Sequence, residues 1–246
     1  MGLDDSRPPL LSFPRMRELA IGDIHGCARS FETLLELVQP APTDTIILLG
    51  DYIDRGPDSC RVIDMILELN QRCAVIALTG NHEIMLQEAA NDSKAKADWW
   101  RYGGQETMHS YVKAGYAAEL SAIPDSHWEF FVEQTLDYWE TEERIYVHAS
   151  VDPDLDLDEQ PEYVLFWQPL AAPMVHKSGK QIICGHTSQK TGKPLVFDRG
   201  VCIDTYAHGG GWLSCLDTTK QTVIQVNESG AHRTLPSLEQ RPRGKR

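Results

Sequence analysis

Gly22-Asp23-Ile24-His25-Gly26, Gly50-Asp51-Tyr52-Ile53-Asp54-Arg55-Gly56 and Gly80-Asn81-His82-Glu83 are three polar blocks within one stretch, from Ala20 to Glu83. Each ends an apolar run, at residues 18–21, 45–49 and 73–79. Short continuous apolar runs bounded by glycine suit strands covered on both faces. Amphipathic segments at 30–38 and 61–69 follow the first two blocks, with apolar residues near helical spacing. The order is therefore β-α-β-α-β. In such sheets ligands gather beyond the carboxyl ends of the strands, so the three blocks are expected at one rim.

The residue types at that rim carry a definite chemistry. Asp23, His25, Asp51 and Asn81 are oxygen and imidazole ligands for divalent ions. Asp23 and His25 are two apart, so in extended chain they share a side. The two oxygens of Asp51 can bridge a pair of ions. Arg55 presents a planar fork suited to phosphate. His82 is placed to deliver a proton to a leaving group, with Asp54 as the partner that orients it.

The set GDIHG, GDYIDRG and GNHE, together with Val147-His148-Ala149-Ser150 and Cys184-Gly185-His186-Thr187, resembles the signature of the metallophosphoesterase superfamily, specifically its phosphoprotein phosphatase branch of bacterial type. The resemblance covers about residues 17–226. It implies a calcineurin-like α/β fold, a central two-sheet β-sandwich flanked by helices with two metal ions at one end. Asp23, His25 and Asp51 would hold the first ion, and Asp51, Asn81, His148 and His186 the second. A water or hydroxide bridging the ions would be the nucleophile. Arg55, the amide of Asn81 and His148 would lie against the phosphate, and His82 with Asp54 would protonate the departing alkoxide. The ions implied are Mn²⁺, with Fe or Zn as alternatives.

The implied activity is hydrolysis of phosphomonoesters, with phosphoserine or phosphothreonine in proteins as the leading substrate. Hydrolysis of dinucleoside polyphosphates is the alternative, since bacterial relatives with these blocks do that. A binding module without turnover is a third reading, against which the complete ligand set argues. The chain departs from the pattern in two places. His148-Ala149-Ser150 stands where many relatives have His-Ala-Gly. The second phosphate-binding Arg of the family has no counterpart between Arg144 and Arg199, and Gln168 aligns where it is expected. Lys177 and Lys180 are candidates to compensate.

With 246 residues, the chain fits one domain, and 41% hydrophobic content supports a sizeable core. A net charge of −13 argues against a protein built to bind nucleic acid. No run approaches 18 apolar residues and the first residues lack the pattern of a signal peptide, so a cytoplasmic protein with no membrane partner is expected. The six cysteines form no C-x-x-C pair and read as small buried hydrophobes.

The expected organisation is a proline-rich lead-in (1–16), a single domain (17–227) and a polar tail with a basic end (228–246). Within the domain, 94–135 reads as a helical insertion beside the rim, in which Trp99 and Trp100 are core residues or a substrate-facing wall. Residues 136–148 read as a hairpin ending at His148, and 179–226 as all-β. Residues 152–161 read as a solvated acidic loop. His109, His127, His176 and His232 read as surface or packed residues, and His208 sits among glycines in a loop that can border the site. Replacing Gln168 with Arg is expected to raise turnover of a phosphomonoester such as p-nitrophenyl phosphate; an unchanged rate would undercut the alignment.

Overall fold

Leu19 and Ile21 pack on one side of their strand and Ala20 on the other, and all three are buried. The same split holds for Ile46 and Leu48 against Ile47. Successive side chains on a strand point to opposite faces, so a run that is apolar at every position needs cover on both. The computed structural model, which describes residues 16–170, 175–236 and 238, supplies that cover with helices on one face and a second sheet on the other.

In chain order the elements are β1 (Glu18–Ile21), α1 (Ala28–Val38), β2 (Thr45–Leu48), α2 (Ser59–Asn70), β3 (Ala74–Leu78), α3 (Asn81–Asn91), α4 (Ser93–Trp99), α5 (Gln105–Lys113), α6 (Asp125–Glu133), β4 (Thr135–Leu136), β5 (Tyr138–Glu140), β6 (Arg144–Val147), α7 (Glu162–Phe166), β7 (Gln181–Cys184), β8 (Leu195–Phe197), β9 (Gly200–Cys202), β10 (Leu213–Asp217), β11 (Thr222–Val226) and β12 (His232–Leu235). A π-helical turn, Trp100–Gly104, joins α4 to α5.

One sheet runs β12-β11-β10-β1-β2-β3-β4 and the other β5-β6-β7-β9-β8. Strands β1 to β4 pair in parallel, as do β6, β7 and β9. Tyr146, Ile183, Val201 and Leu216 meet Ala20 and Ile47 between the sheets. A third cluster, including Ile145, Val147, Leu165 and Phe166, lies on the other face of the smaller sheet beneath α7. Each fully buried aliphatic side chain contributes about 1.5–3 kcal/mol. Two helix-flanked sheets are the architecture that the resemblance implies.

Two local expectations shift, and a cap sets one helix start. The hairpin is real only from Tyr138, with Tyr138 opposite Val147 and Glu140 opposite Ile145. Leu136 instead pairs with Leu78 in the larger sheet. Its strand covers the edge of β3, whose backbone groups would otherwise lack partners. The helix after the third block begins at Asn81, because Glu83 reaches back to accept the Gly80 N–H at 3.0 Å. Finally, β12 lies inside the stretch expected as a tail, pairing His232 with Val226 and Leu235 with Val223. As an edge strand it leaves much of its surface to solvent, so its sequence reads as polar. The expected lead-in up to 15 and the basic end, 241–246, lie outside the described residues.

Arg17 and Asp44 tie the start of β1 to the turn before β2. The Arg17 backbone N–H and Nε donate to Asp44 Oδ1 at 3.2 and 3.1 Å, and Ala41 N–H donates to Oδ2 at 2.8 Å. Burial raises the Asp44 carboxyl, but the bonds from Arg17 and Ala41 outweigh it and hold the group below the usual carboxylate range. A depressed folded pKa stabilises above the unfolded value and is lost as pH falls through the folded one. Asp44→Asn should therefore lower the unfolding free energy by about 1–3 kcal/mol at pH 7. In urea titrations the gap from the parent should narrow as pH falls below the usual carboxylate range; a gap independent of pH would refute this.

Candidate metal centre

All three blocks, His148 and His186 converge beyond the carboxyl ends of β1, β2, β3, β6 and β7. The backbone there is unusual. His25, Asp51, Asp54, Arg55 and His186 all have left-handed φ, from 45° to 72°. Non-glycine residues rarely adopt that conformation, and clusters of them mark sites where surrounding packing enforces it. Gly80 and Gly185 allow close approach: a Cβ on either would lie 2.3 Å from Asp51 Oδ1 or 2.1 Å from Asp23 Oδ1.

Three of the converging imidazoles each have one nitrogen fixed by a backbone carbonyl. His25 Nδ1 donates to Ile53 O at 2.9 Å, His148 Nδ1 to Leu49 O at 2.7 Å, and His186 Nε2 to Trp167 O at 3.2 Å. The other nitrogen is left with a lone pair facing inward. Burial pushes the His148 and His186 values down to about 3 and about 4, and His25 well below its ordinary value. These rings are neutral at physiological pH and able to ligate.

The lone pairs meet other acceptors. Asn81 Oδ1 lies 3.0 Å from both His148 Nε2 and His186 Nδ1. Asp51 Oδ2 is 3.3 Å from His25 Nε2, and its Oδ1 is 3.5 Å from His148 Nε2. Two groups of close ligand atoms result, His25–Asp51–His82 and Asp51–His148–His186, sharing Asp51. Acceptors converging at these distances fit cations, and a carboxylate facing both groups fits a pair of them. Negative charge points the same way. Burial, Asp204 and Asp51 together drive the Asp23 carboxyl well up, and burial likewise raises Asp204. Divalent ions relieve such repulsion.

Asp23 itself accepts the His186 N–H at 3.1 and 3.0 Å, and neither close-ligand group among the described residues contains it. Arg55 Nη1 donates to His25 Nε2 at 2.9 Å, which puts the guanidinium at the rim. His82 Nδ1 bonds Asp54 Oδ2 at 2.6 Å, and its Nε2 is buried with no partner. Burial raises Asp54 to about 7 and lowers His82 to about 4, so the proton between them rests in a dry pocket.

Several contributors were not assigned roles from sequence. Glu83 accepts the N–H groups of Asp51, Tyr52 and Gly80 at 2.9, 2.9 and 3.0 Å. Burial and Asp51 push its carboxyl up to about 8, against the pull of those amides. Trp99 is fully buried, and its Nε1 donates to Asp54 Oδ2 at 2.9 Å while Thr107 Oγ1 donates to Oδ1 at 2.6 Å. Of the two alternatives for Trp99, the structure selects core. Asp204 is buried and accepts from Ser188 Oγ at 2.6 Å. Its signal was legible: it ends the apolar run 200–203, as Asp23 and Asp51 end theirs. Lys177 and Lys180 pair with Asp156 at 2.8 Å and Glu140 at 2.9 Å, so neither compensates at Gln168. Gln168 directly follows Trp167, whose carbonyl orients His186.

The model of one family, Calcineurin-like phosphoesterase, matches residues 16–190. The chain belongs to that family. Within this phosphoesterase family it is similar to the symmetrical bis(5'-nucleosyl)-tetraphosphatase of Wigglesworthia glossinidia brevipalpis, 43% identical over 72 residues, which is 29% of this chain and 26% of that protein. It is similar at greater length to the asymmetrical bis(5'-nucleosyl)-tetraphosphatase of Geobacillus thermodenitrificans, 27% identical over 245 aligned positions, 86% of this chain and 94% of that one. The chain thus spans about a quarter of the Wigglesworthia protein and nearly all of the Geobacillus one. Among solved structures, a candidate diadenosine tetraphosphatase superposes with a TM-score of 0.62 at 18% identity, covering 92% of this chain and 95% of that one. That likeness bears on the fold alone. Among the described residues no helix is long and apolar enough to cross a membrane.

Asn81→Ala tests the convergence of acceptors. The variant should leave the melting temperature of metal-free protein within about 2 °C and abolish most of the rise on adding Mn²⁺, since stabilisation by a bound ion scales with RT ln(1 + [L]/Kd). A full Mn²⁺-induced rise in the variant, read by calorimetry, would count against Asn81 as a ligand.

Proposed function

We propose that the protein is a divalent-metal-dependent hydrolase of dinucleoside polyphosphates, splitting one phosphoanhydride bond. The observation that carries this reading is the similarity to a tetraphosphatase over 86% of this chain and 94% of the relative, joined to a site with shared Asp51 between two ligand groups. The two relatives described above are tetraphosphatases, which favours this reading over the phosphoprotein substrate that the sequence resemblance put first. Gln168 agrees with the choice. A terminal dianionic monoester calls for a second guanidinium, and an internal anhydride phosphate carries less charge.

In this reading Asp23, His25, Asp51, Asn81, His148 and His186 hold two ions, Mn²⁺ or a pair including Fe or Zn; of these, His25, Asp51, His148 and His186 belong to the two groups of close ligand atoms. Bound there, such ions polarise phosphoryl oxygens and lower the pKa of water toward neutrality. The chain's own residues do the remainder. The Arg55 fork holds the non-bridging oxygens of the phosphoryl group under attack. A water oxygen forms the new P–O bond as the anhydride P–O bond breaks, and the released electron pair goes to the leaving phosphate oxygen. When the Asp54 carboxyl keeps its proton and donates it to Nδ1, the neutral His82 ring carries Nε2–H, which gives its proton to that oxygen, while the attacking water loses its own proton to solvent. Trp99 and Thr107 fix Asp54 in turn.

With Mn²⁺, purified protein should hydrolyse diadenosine tetraphosphate with kcat/KM at least about tenfold above that for a phosphoserine peptide. His82→Asn should lower kcat by about 10²–10⁴-fold with metal content unchanged. Preference for the peptide would restore the phosphoprotein reading, and no turnover of either would leave the binding module.

A further inference from the structure

His208 is a titratable group beside the proposed centre that this mechanism leaves without a task. Its ring meets the His25 ring edge-on at 4.7 Å between centroids, and on its other side the Tyr206 ring at 4.8 Å. Its Nδ1 is buried and has no hydrogen-bond partner. Buried polar atoms almost always have partners, so an orphan at a site marks a place for one that arrives with substrate. His208 belongs to neither group of close ligand atoms. It lies in the fields of Arg55 and His82, the groups assigned to the phosphoryl and to its leaving oxygen.

The rings continue outward. Lys190 Nζ sits 5.5 Å over the Tyr206 ring, and Lys190 is exposed and makes no ion pair with any described residue. From His82 the order is therefore His82, His25, His208, Tyr206, Lys190, a ladder of ring contacts leading from the proton donor to a free ammonium. The ammonium already occupies a face of Tyr206, which disfavours a stacked base there and favours an anion. Both loops of the ladder are held by one buried network. Gln225 Nε2 donates to Ser214 Oγ at 2.7 Å and to Gly192 O at 3.1 Å, and Thr205 Oγ1 lies 2.5 Å from Ser214 Oγ. Arg233, on β12, donates to Gly192 O at 2.6 Å and stacks on Trp212 at 4.2 Å. The rungs are thus set before substrate binds.

We propose that His208 and Lys190 form a subsite for the departing polyphosphate chain, His208 Nδ1 donating to the first leaving phosphate and Lys190 neutralising one further out. This rests on the dinucleoside polyphosphate reading. It explains how a site with Gln168 in place of a second Arg handles a long polyanion: the positive charge sits on the leaving side.

The test compares the full chain with Lys190→Ala, Lys190→Arg and His208→Phe, the last keeping a ring against His25 and Tyr206. Substrates are diadenosine tetraphosphate and p-nitrophenyl phosphate, with inorganic tripolyphosphate as inhibitor of the second. Lys190→Ala should raise KM for the tetraphosphate about tenfold, with kcat and the monoester KM within about twofold, and Lys190→Arg should restore it. His208→Phe should lower kcat/KM about tenfold more for the tetraphosphate than for the monoester, at unchanged metal content. Both removals should weaken tripolyphosphate inhibition about tenfold. Equal losses on both substrates, or unchanged tripolyphosphate inhibition, would overturn the subsite. Should the parent chain not cleave the tetraphosphate, the dinucleoside reading fails by itself, and the tripolyphosphate arm still decides: inhibition weakened by Lys190→Ala supports the subsite and unweakened inhibition rejects it.

Discussion

The carboxylate of Glu83 gathers three backbone N–H groups, those of Asp51, Tyr52 and Gly80. By this one contact the loop after β2 is bound to the first turn of α3. Asp51 and Asn81, the residues that face both His148 and the other ligands, sit on either side of it. A buried carboxylate with three amide donors is strongly tied, because removing any partner leaves polar groups unsatisfied in a dry interior. The left-handed backbone at Asp51, Asp54 and Arg55 is tolerable only because such contacts over-determine it.

Around that tie the molecule concentrates groups that repel one another. Asp23, Asp51 and Asp204 share a buried corner, and three imidazoles turn lone pairs toward an amide oxygen and a carboxylate. An interior tolerates that crowding only for a partner of opposite charge. The hydrophobic layers offset the cost: one cluster seals the sheets together and two others seal the outer faces. The helical segment after α3 is part of this support, since Trp99 and Thr107 hold Asp54, and Asp54 holds His82. Trp99 and Thr107 thus brace His82 from behind, through Asp54.

Activity classes divide on what surrounds the same centre. A phosphoesterase core accepts many leaving groups, and the fold does not choose among them. In the proposed reading the leaving side is the Tyr206–His208 loop with Lys190. β12 anchors that side through Arg233, so the strand beyond the expected domain end bears on the site as well as the sheet.

Much of this was legible in the residues. Apolar runs that end in Gly-Asp, Gly-Asn or His announce buried parallel strands and the polar loops after them, because strand burial and glycine turns are local matters. The resemblance carried by those blocks singled out Asp51, Asn81, His148 and His186, which the fold brings together, and paired His82 with Asp54, which share a hydrogen bond. What the chain could not disclose was non-local. Whether Leu136 joins the hairpin or the larger sheet depends on which edge lies open. Whether polar residues 232–235 form a strand depends on β11 offering its edge. That Glu83 binds the loop of Asp51, that Trp99 is core, that Lys177 and Lys180 are spent on distant carboxylates and that His208 leans on His25 are facts of three-dimensional proximity between residues far apart in the chain. Local periodicity encodes elements and their terminal residues; only packing decides which of those residues meet.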